Sequence, residues 1–599
     1  MVTQIQLGNL FTSGGKQVIG GGASGIDTEA LVKGLTEARL IPAKKLQDRI
    51  DLNDKKASSF SEMRQILVRL QDASNFLRNP PGVGNEADNI FNYRSANVTS
   101  NSSTSASSYL SVTVQPGATN ANYVVDDITA IALAKKQETG AFVIANQDTA
   151  VVSATPAAGE FGAGTVTING QNITLSAGDT LRTVAKKFND VSSLTGIAAQ
   201  VFQVSPGQFK LIYTSTKTGL SSDFNLSGAP TVTADPSGVL TNITFATTQN
   251  AQNAQFQIDN VAITRESNVV TDLVDGVTFT LIQDTNAAPA TKLDVKIVPD
   301  TEIIQNGITN FVNAYNDFRL FVSRQTQLKS DGTPQEDSIL FNSTTMRSTL
   351  SRVSSELSRV VSGLTAGDPN RLSELGITFT NYPGDNNDPP NPPTKNILTI
   401  DSAKLKTAIE SNFDSVRKVF EFDFSSDSNS VQVFKRTNSL SVSDFTMNID
   451  PNGLPPTYTA TYDLGAGPVT VNLTATALSG GTGYTLSGQD GTALAGLVMI
   501  YTGSATSTVN AKVSQGIGDR LFNTLEDVIE DTTGALSVDE SQLTTANERF
   551  QTEIDRINEQ VDRYRERLLK QYADLEAAIS KVNNILQSLD AQAQARAAA

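Results

Sequence analysis

The side chains that could do chemistry in this chain are few in kind. Its 599 residues contain no Cys, no His and no Trp, which excludes thiol nucleophiles, Ser-His-Asp triads and Cys/His metal sites. Acid–base work would fall to carboxylates, Lys or Tyr, and no carboxylate pair is singled out by its spacing. Asp423, Asp427 and Asn429 suggest a calcium loop, but the EF-hand spacing and its central Gly are missing, so a solvated loop is expected. Gly20-Gly21-Gly22 lacks the Lys-Ser/Thr of a phosphate loop and precedes no βαβ unit; it reads as a linker before a helix. Asp126-Asp127 sits in a strand pattern, as charges at a sheet end or interface. Tyr458, Tyr462, Tyr484 and Tyr501 could mark a ligand surface but read as core alternation. No catalytic, cofactor-binding or metal site is expected.

The chemistry that remains is apolar. Ile554, Val561, Leu568, Leu575, Val582 and Leu589 recur every seven residues, with second-seam partners Ile557, Tyr564, Tyr572, Ile579 and Leu586 beside them. That is a coiled-coil seam. The partner moves from three to four residues after the first seam at Leu568, equivalent to a four-residue insertion that unwinds a supercoil locally. From Asp539 to Asp590 such a helix would be a rod of roughly 75 Å. Near the other end, Leu46, Ile50, Ala57, Phe60, Met63, Leu67, Leu70 and Leu77 keep a 3/4 spacing that Asn53 interrupts. A shorter helix is expected before it, N-capped by Asp27, carrying Leu31, Val32, Leu35 and Leu40, and broken by Pro42. The two ends are expected to pair as one leg, either simply closing the fold or also serving assembly.

Charge and segment lengths narrow the class further. The net charge is −16, and the helical ends are nearly neutral, so the acidity lies in the middle; nucleic acid, which calls for a basic stripe, is not an expected partner. No stretch reaches the eighteen or so apolar residues of a membrane span. The first twenty residues have no apolar h-region and no small-residue cleavage site, unlike a Sec signal peptide.

Between the ends the pattern is mostly β. Val166 and Ile168, Asn169-Gly170, then Ile173 and Leu175 spell a hairpin with a type I′ turn. A short helix through Leu181, Val184 and Phe188, capped by Asp179, and strands near Ala199–Val204 and Phe209–Tyr213 would complete a ββαββ unit. Helical spacing returns at Ile304, Ile308, Phe311, Tyr315, Phe318 and Val322, again over 345–361, and over 401–420. Residues 438–513 alternate as strands between Gly-rich turns. The expected fold is multidomain α+β: a terminal helical coiled-coil leg, a helical central domain and inserted β-rich head domains.

Several ordered motifs resemble one family. Gly22-Ala23-Ser24-Gly25-Ile26-Asp27-Thr28 is similar to the N-terminal signature of flagellar filament cap proteins, the hook-associated protein 2 family. Ile168-Asn169-Gly170, Gly178-Asp179-Thr180-Leu181 and Phe188-Asn189 resemble a short module shared by flagellins and hook-associated proteins. Ala254-Gln255-Phe256, Ser267 to Asp272, Phe311 to Asn316, Leu375-Gly376-Ile377 and Leu398 to Asp401 are similar to the family's C-terminal half, as is the closing leg.

The resemblance implies a flexible N-terminal export segment (1–20), leg helices leading into a D1-like domain (21–91), a D2-like β-rich domain (92–138 and 251–299), a D3-like insertion (139–250), a D1-like helical domain (300–437) and a C-terminal leg (514–599). Block 438–513 lies outside the minimal family pattern and reads as an additional β-rich insertion. The resemblance further implies a ring of about five or six copies at the distal filament tip, exported without a cleaved signal, that promotes insertion and folding of flagellin. Implied partners are other copies, flagellin, hook–filament junction proteins and a cytoplasmic export chaperone docking on the Leu568–Leu589 stripe; no cofactor is implied. Candidate contact residues are Leu46, Ile50, Phe60, Leu67 and Leu70, with Ile554, Val561, Leu568, Tyr572, Leu575, Ile579, Val582, Leu586 and Leu589. The alternative is an extracellular adhesin that presents its β-rich domains to surface carbohydrate.

Overall fold

The computed structural model describes residues 9–13, 16–20, 27–81, 86–286, 291–385, 391–437, 439–479 and 483–597. It divides into two compact units, Gly82–Asn306 and the combination of Met1–Pro81 with Gly307–Ala599.

In the unit of residues 82–306, alternating apolar residues build two sheets over one core. A five-stranded antiparallel sheet runs in the order Val261–Arg265, Ala254–Ile258, Ala121–Ala130, Leu293–Pro299, Arg94–Ser100. A three-stranded sheet of Val269–Val274, Val277–Leu281 and Leu110–Val114 shares with it a core of Val125, Ile128, Phe256, Phe279 and Val295.

The intervening chain forms a module of its own. Gly164–Ile168 pairs with Gln171–Leu175 through Asn169 (φ 46°) and Gly170 (φ 78°); both turn residues are left-handed, as a type I′ hairpin requires. The unit is less simple than ββαββ. The hairpin pairs onward with Val232–Ala234, whereas Ile197–Ser205 and Gln208–Ser215 join Lys136–Thr139 and Phe245–Gln249 in a second sheet. Helix Leu181–Asn189 buries Leu181, Val184 and Phe188 in their common core. Its N-cap is Thr180, not Asp179: Thr180 Oγ1 accepts from Thr183 N at 3.2 Å. Asp179 instead accepts from Ser176 N and ion-pairs with Lys187.

In the other unit, helix Ile517–Ile529 lies among Thr28–Asn75, Thr344–Ser358, Phe413–Phe420 and the last helix, Ala535–Ala597. Leu521, Leu525, Phe60, Met63, Leu67, Leu70, Met346 and Val353 are buried there. Helix Thr301–Gln325 contributes Phe311, whose ring meets Phe420 edge-on at 6.3 Å, and Tyr315, whose hydroxyl donates to Asn396 O at 2.9 Å.

The expected single helix over 401–420 is two, Ser402–Ser411 and Phe413–Phe420, because Asn412 leaves the helical region (φ −150°, ψ 62°). The β-rich block also begins earlier than 438. Phe422–Ser426 and Val431–Lys435 are the two ends of one eight-stranded antiparallel sheet that otherwise spans Asp444–Gln515. Its core takes in Tyr462 and Tyr501, and packs Tyr458 and Tyr484 against its margin, so these tyrosines serve the interior.

Candidate functional site

The first helix corrects an expectation. Thr28–Asn75 is continuous through Pro42. A helical Pro removes one hydrogen bond and crowds the carbonyl four residues earlier. Here it is exposed, where water can satisfy that carbonyl, while Val32, Thr36 and Ala43 stay buried before and after it in the helix. Tertiary packing outweighs the local penalty. At the helix start Asp27 caps as expected, its carboxylate accepting from Ala30 N at 3.0 Å.

The first and last helices pair antiparallel. Ala43 and Ile50 pack with Ile554, with Leu46, Phe550 and Ile557 at the margin, and the Arg39 guanidinium stacks 3.8 Å from the Tyr564 ring centroid. Asn53, the one break in the first seam, donates to Asn547 Oδ1 at 2.9 Å, and Asn547 donates on to Asp54 at 2.7 Å. A polar pair inside an apolar seam penalises slipped alignments, so it fixes register. Farther along, Arg64 donates to Ser537 Oγ at 2.8 Å, to Glu540 at 2.9 Å and to the Ile529 carbonyl.

The last helix outruns its partner. It has 63 residues, about 95 Å at 1.5 Å per residue. With Arg39 opposite Tyr564, Thr28 falls opposite roughly residue 575 at equal rise on both helices. Exposure changes at that point: Ile554, Val561 and Leu568 are 8%, 6% and 8% exposed, whereas Leu575, Val582, Leu586 and Leu589 are 44%, 54%, 53% and 54% exposed. Tyr572 and Ile579 are half-buried. A two-stranded hairpin, Asn9–Ser13 with Lys16–Gly20, lies beside this helix.

The candidate contact residues thus fall into two groups, with the half-buried Tyr572 and Ile579 at the boundary. Ile50, Phe60, Leu67, Leu70, Ile554, Val561 and Leu568 are buried in the chain itself, with Leu46 half-buried; Leu575, Val582, Leu586 and Leu589 form an apolar stripe open to solvent.

The sequence held no sign of a buried charge cluster at the far end of the leg. Asp519 is fully buried and accepts from Arg436 Nε at 3.0 Å, from Gln515 Nε2 at 2.9 Å and from Asn523 Nδ2 at 3.4 Å. Arg436 also donates to the Asn79 carbonyl, just past the end of the first helix, and lies 4.1 Å from the Phe422 ring centroid. Arg78 stands 3.7 Å from Asp519; burial pulls its pKa down to about 10 against the opposing pull of that carboxylate. Next in sequence, Arg520 bonds Glu356 Oε2 at 3.0 Å and the carbonyls of Glu356, Arg359 and Gln515. Just before them in sequence, at Gly516, a Cβ would come 2.3 Å from the carbonyl carbon of Phe420. The cluster ties the first helix, the eight-stranded sheet and helix 517–529 together. Its charged partners lie from 83 to more than 400 residues apart, so no spacing rule reaches them.

Among the described residues no cluster of His, Cys, Asp or Glu could hold a metal ion, and no helix is long and apolar enough to cross a membrane.

The paired terminal helices thus leave an apolar stripe, Leu575 to Leu589, uncovered at the end of the last helix, in a chain whose other parts include β-rich domains. The chain belongs to the flagellar hook-associated protein 2 family: the model of that family's C-terminus matches residues 251–584 and the model of its N-terminus matches 24–137. The A-type flagellar hook-associated protein 2 of Pseudomonas aeruginosa is 25% identical over 426 residues, 68% of this chain and 80% of the relative. The B-type protein of P. aeruginosa strain PAO1 is 25% identical over 295 residues, 45% and 57% of the two chains. The lateral protein of Vibrio parahaemolyticus is 27% identical over 270 residues, 43% and 55%. The chain therefore spans little more than half the length of the latter two. A solved structure of the D1-D2-D3 domains of the flagellar cap protein FliD from Escherichia coli aligns with TM-score 0.40 and 22% identity, covering 60% of this chain and 89% of that one. The two family models show the family that the sequence motifs resemble, and no observation favours the adhesin.

Proposed function

We propose that this chain caps the flagellar filament: copies form a ring at the distal tip, where exported flagellin is inserted and folded. Support comes from membership of the hook-associated protein 2 family together with one observation, the Leu575–Leu589 stripe that continues past the end of its intrachain partner. Four large aliphatic side chains about half exposed on one helix face forgo several kcal/mol of burial, at about 25 cal/mol per Å² of apolar surface, until another helix covers them. In the filament that cover is the helices of neighbouring subunits, flagellin or the hook–filament junction proteins. Before export it is a cytoplasmic chaperone, and the stripe serves each in turn. The ring has five or six copies, and the β-rich domains form its plate.

The test is the full chain with Val582→Ser, Leu586→Ser and Leu589→Ser, supplied as the sole copy in a flagellated host. The expected result is a nearly unchanged melting curve, because these residues are already about half exposed, with short or absent filaments and flagellin shed into the medium. Filaments of normal length would overturn the reading.

A further inference from the structure

Strand Ile197–Ser205 lies at one edge of its sheet, whose order is Ile197–Ser205, Gln208–Ser215, Lys136–Thr139, Phe245–Gln249. Exposed strand edges usually carry charges, Pro or bulges that prevent pairing with another chain. This one, IAAQVFQVS, has no charged residue and no Pro, and its bulge comes only at its last residues, between Gln203 and Ser205.

The outward backbone groups can be located. Ala199 N donates to Asn189 Oδ1 and Ala199 O accepts from Asn189 Nδ2, both at 2.8 Å, so the Ala199 backbone points away from the neighbouring strand and is plugged by that amide. Outward groups alternate with a period of two along an antiparallel strand. Val201 and Gln203 therefore also face outward, beyond the reach of the plug. In agreement, Leu211, opposite Val201, turns its own N–H away, to Thr139 Oγ1 at 3.0 Å.

The same stretch bears exposed apolar side chains. Phe202 is 43% and Val204 50% exposed, and Val143, on the short strand that pairs with Gln208–Phe209, is 81% exposed. Lys210, opposite Phe202, is ion-paired with Glu138.

We propose that this edge pairs antiparallel with the same edge of a second copy of the chain, about a two-fold axis at Phe202. Val201 of each copy then exchanges both backbone hydrogen bonds with Gln203 of the other, and the two Phe202 rings meet in the closely spaced, non-hydrogen-bonded position. The Asn189 plug at Ala199 limits the overlap to residues 200–204, and nothing charged opposes it. A two-fold contact of this kind joins copies in pairs. It stands independently of the capping role, because it does not involve the leg.

The absence of Cys gives a clean test. In the full chain, Phe202→Cys places the two Cα atoms at about 4.5 Å in the paired state, within disulfide range. The expected result is a covalent dimer on mild oxidation, at least tenfold faster than for the exposed control Ser193→Cys. Equal rates would overturn the proposal. As a second measurement, Gln203→Pro removes an outward N–H and no internal one, so melting is unchanged while the dimer dissociation constant in sedimentation equilibrium rises at least tenfold. Gln200→Pro, at an inward position, breaks the ladder and lowers the melting temperature. An unchanged dissociation constant for Gln203→Pro would overturn the proposal even if Phe202→Cys crosslinks.

Discussion

Replacing Asp519 with Ala tests whether the buried charge cluster holds the helical core and the eight-stranded sheet together. The carboxylate is fully buried, and the Arg436 side chain facing it is 4% exposed. Removing one partner of such a pair strands the other charge without solvent, which costs about 3–5 kcal/mol. Arg436 keeps the Asn79 carbonyl and the Phe422 ring, which limits the loss; the Gln515 and Asn523 amides also lose their acceptor, which adds to it. The net expectation is about 4 kcal/mol. The double change Asp519→Leu with Arg436→Met removes the pair and fills similar volume; Arg78 and the two amides still lose their carboxylate, but the double should cost less than the single because the most buried arginine is no longer stranded. Because the chain has several domains, a single unfolding free energy is poorly defined, so the assay is native-state hydrogen exchange followed by mass spectrometry. Amides of Ile517–Ile529 and of strand Ser507–Gln515 should exchange about 1000-fold faster in the single variant, while those of Gly164–Leu175 stay unchanged. A loss below about 1 kcal/mol, or a double variant as damaged as the single, would refute the reasoning.

Two further outcomes follow from single side chains. The Tyr213 hydroxyl is fully buried with no hydrogen-bond partner among the described residues, and burial raises its pKa; Tyr213→Phe should therefore stabilise the module by about 1 kcal/mol in urea unfolding followed by circular dichroism, and a destabilised variant would show that the hydroxyl has a partner. Glu530, in the turn before the last helix, accepts from the backbone and hydroxyls of Thr532 and Thr533, which lowers its pKa to about 2, with the Thr533 backbone bond the largest cause. A depressed folded-state pKa means that its contribution is complete above the ordinary carboxylate range, near 4.5, and is lost as pH falls towards 2. Carboxyl-carbon NMR titration should place its midpoint well below the ordinary carboxylate value near 4.5, and a midpoint near that value would contradict the assignment.

The amino-acid sequence by itself determined which segments form regular structure and what class of chain this is. Heptad spacing in Ile554–Leu589, the Asn169-Gly170 turn and the strand alternation depend on neighbours within a few residues, and the backbone obeys them locally. The lack of Cys and His, and the motif order that marks the hook-associated protein 2 family, were equally legible. Tertiary structure alone decided three matters. It carried the first helix through Pro42, because burial of Val32 and Ala43 on either side outweighs one lost hydrogen bond. It separated the seam into a buried part ending at Leu568 and an open part beginning at Leu575, because the helix start at Thr28, far away in sequence, sets where cover ends. And it brought Arg78, Arg436 and Asp519 together, a contact that depends on how three elements close on one another. A heptad states that a face is apolar; which partner covers it, and how far, is a property of the assembled chain.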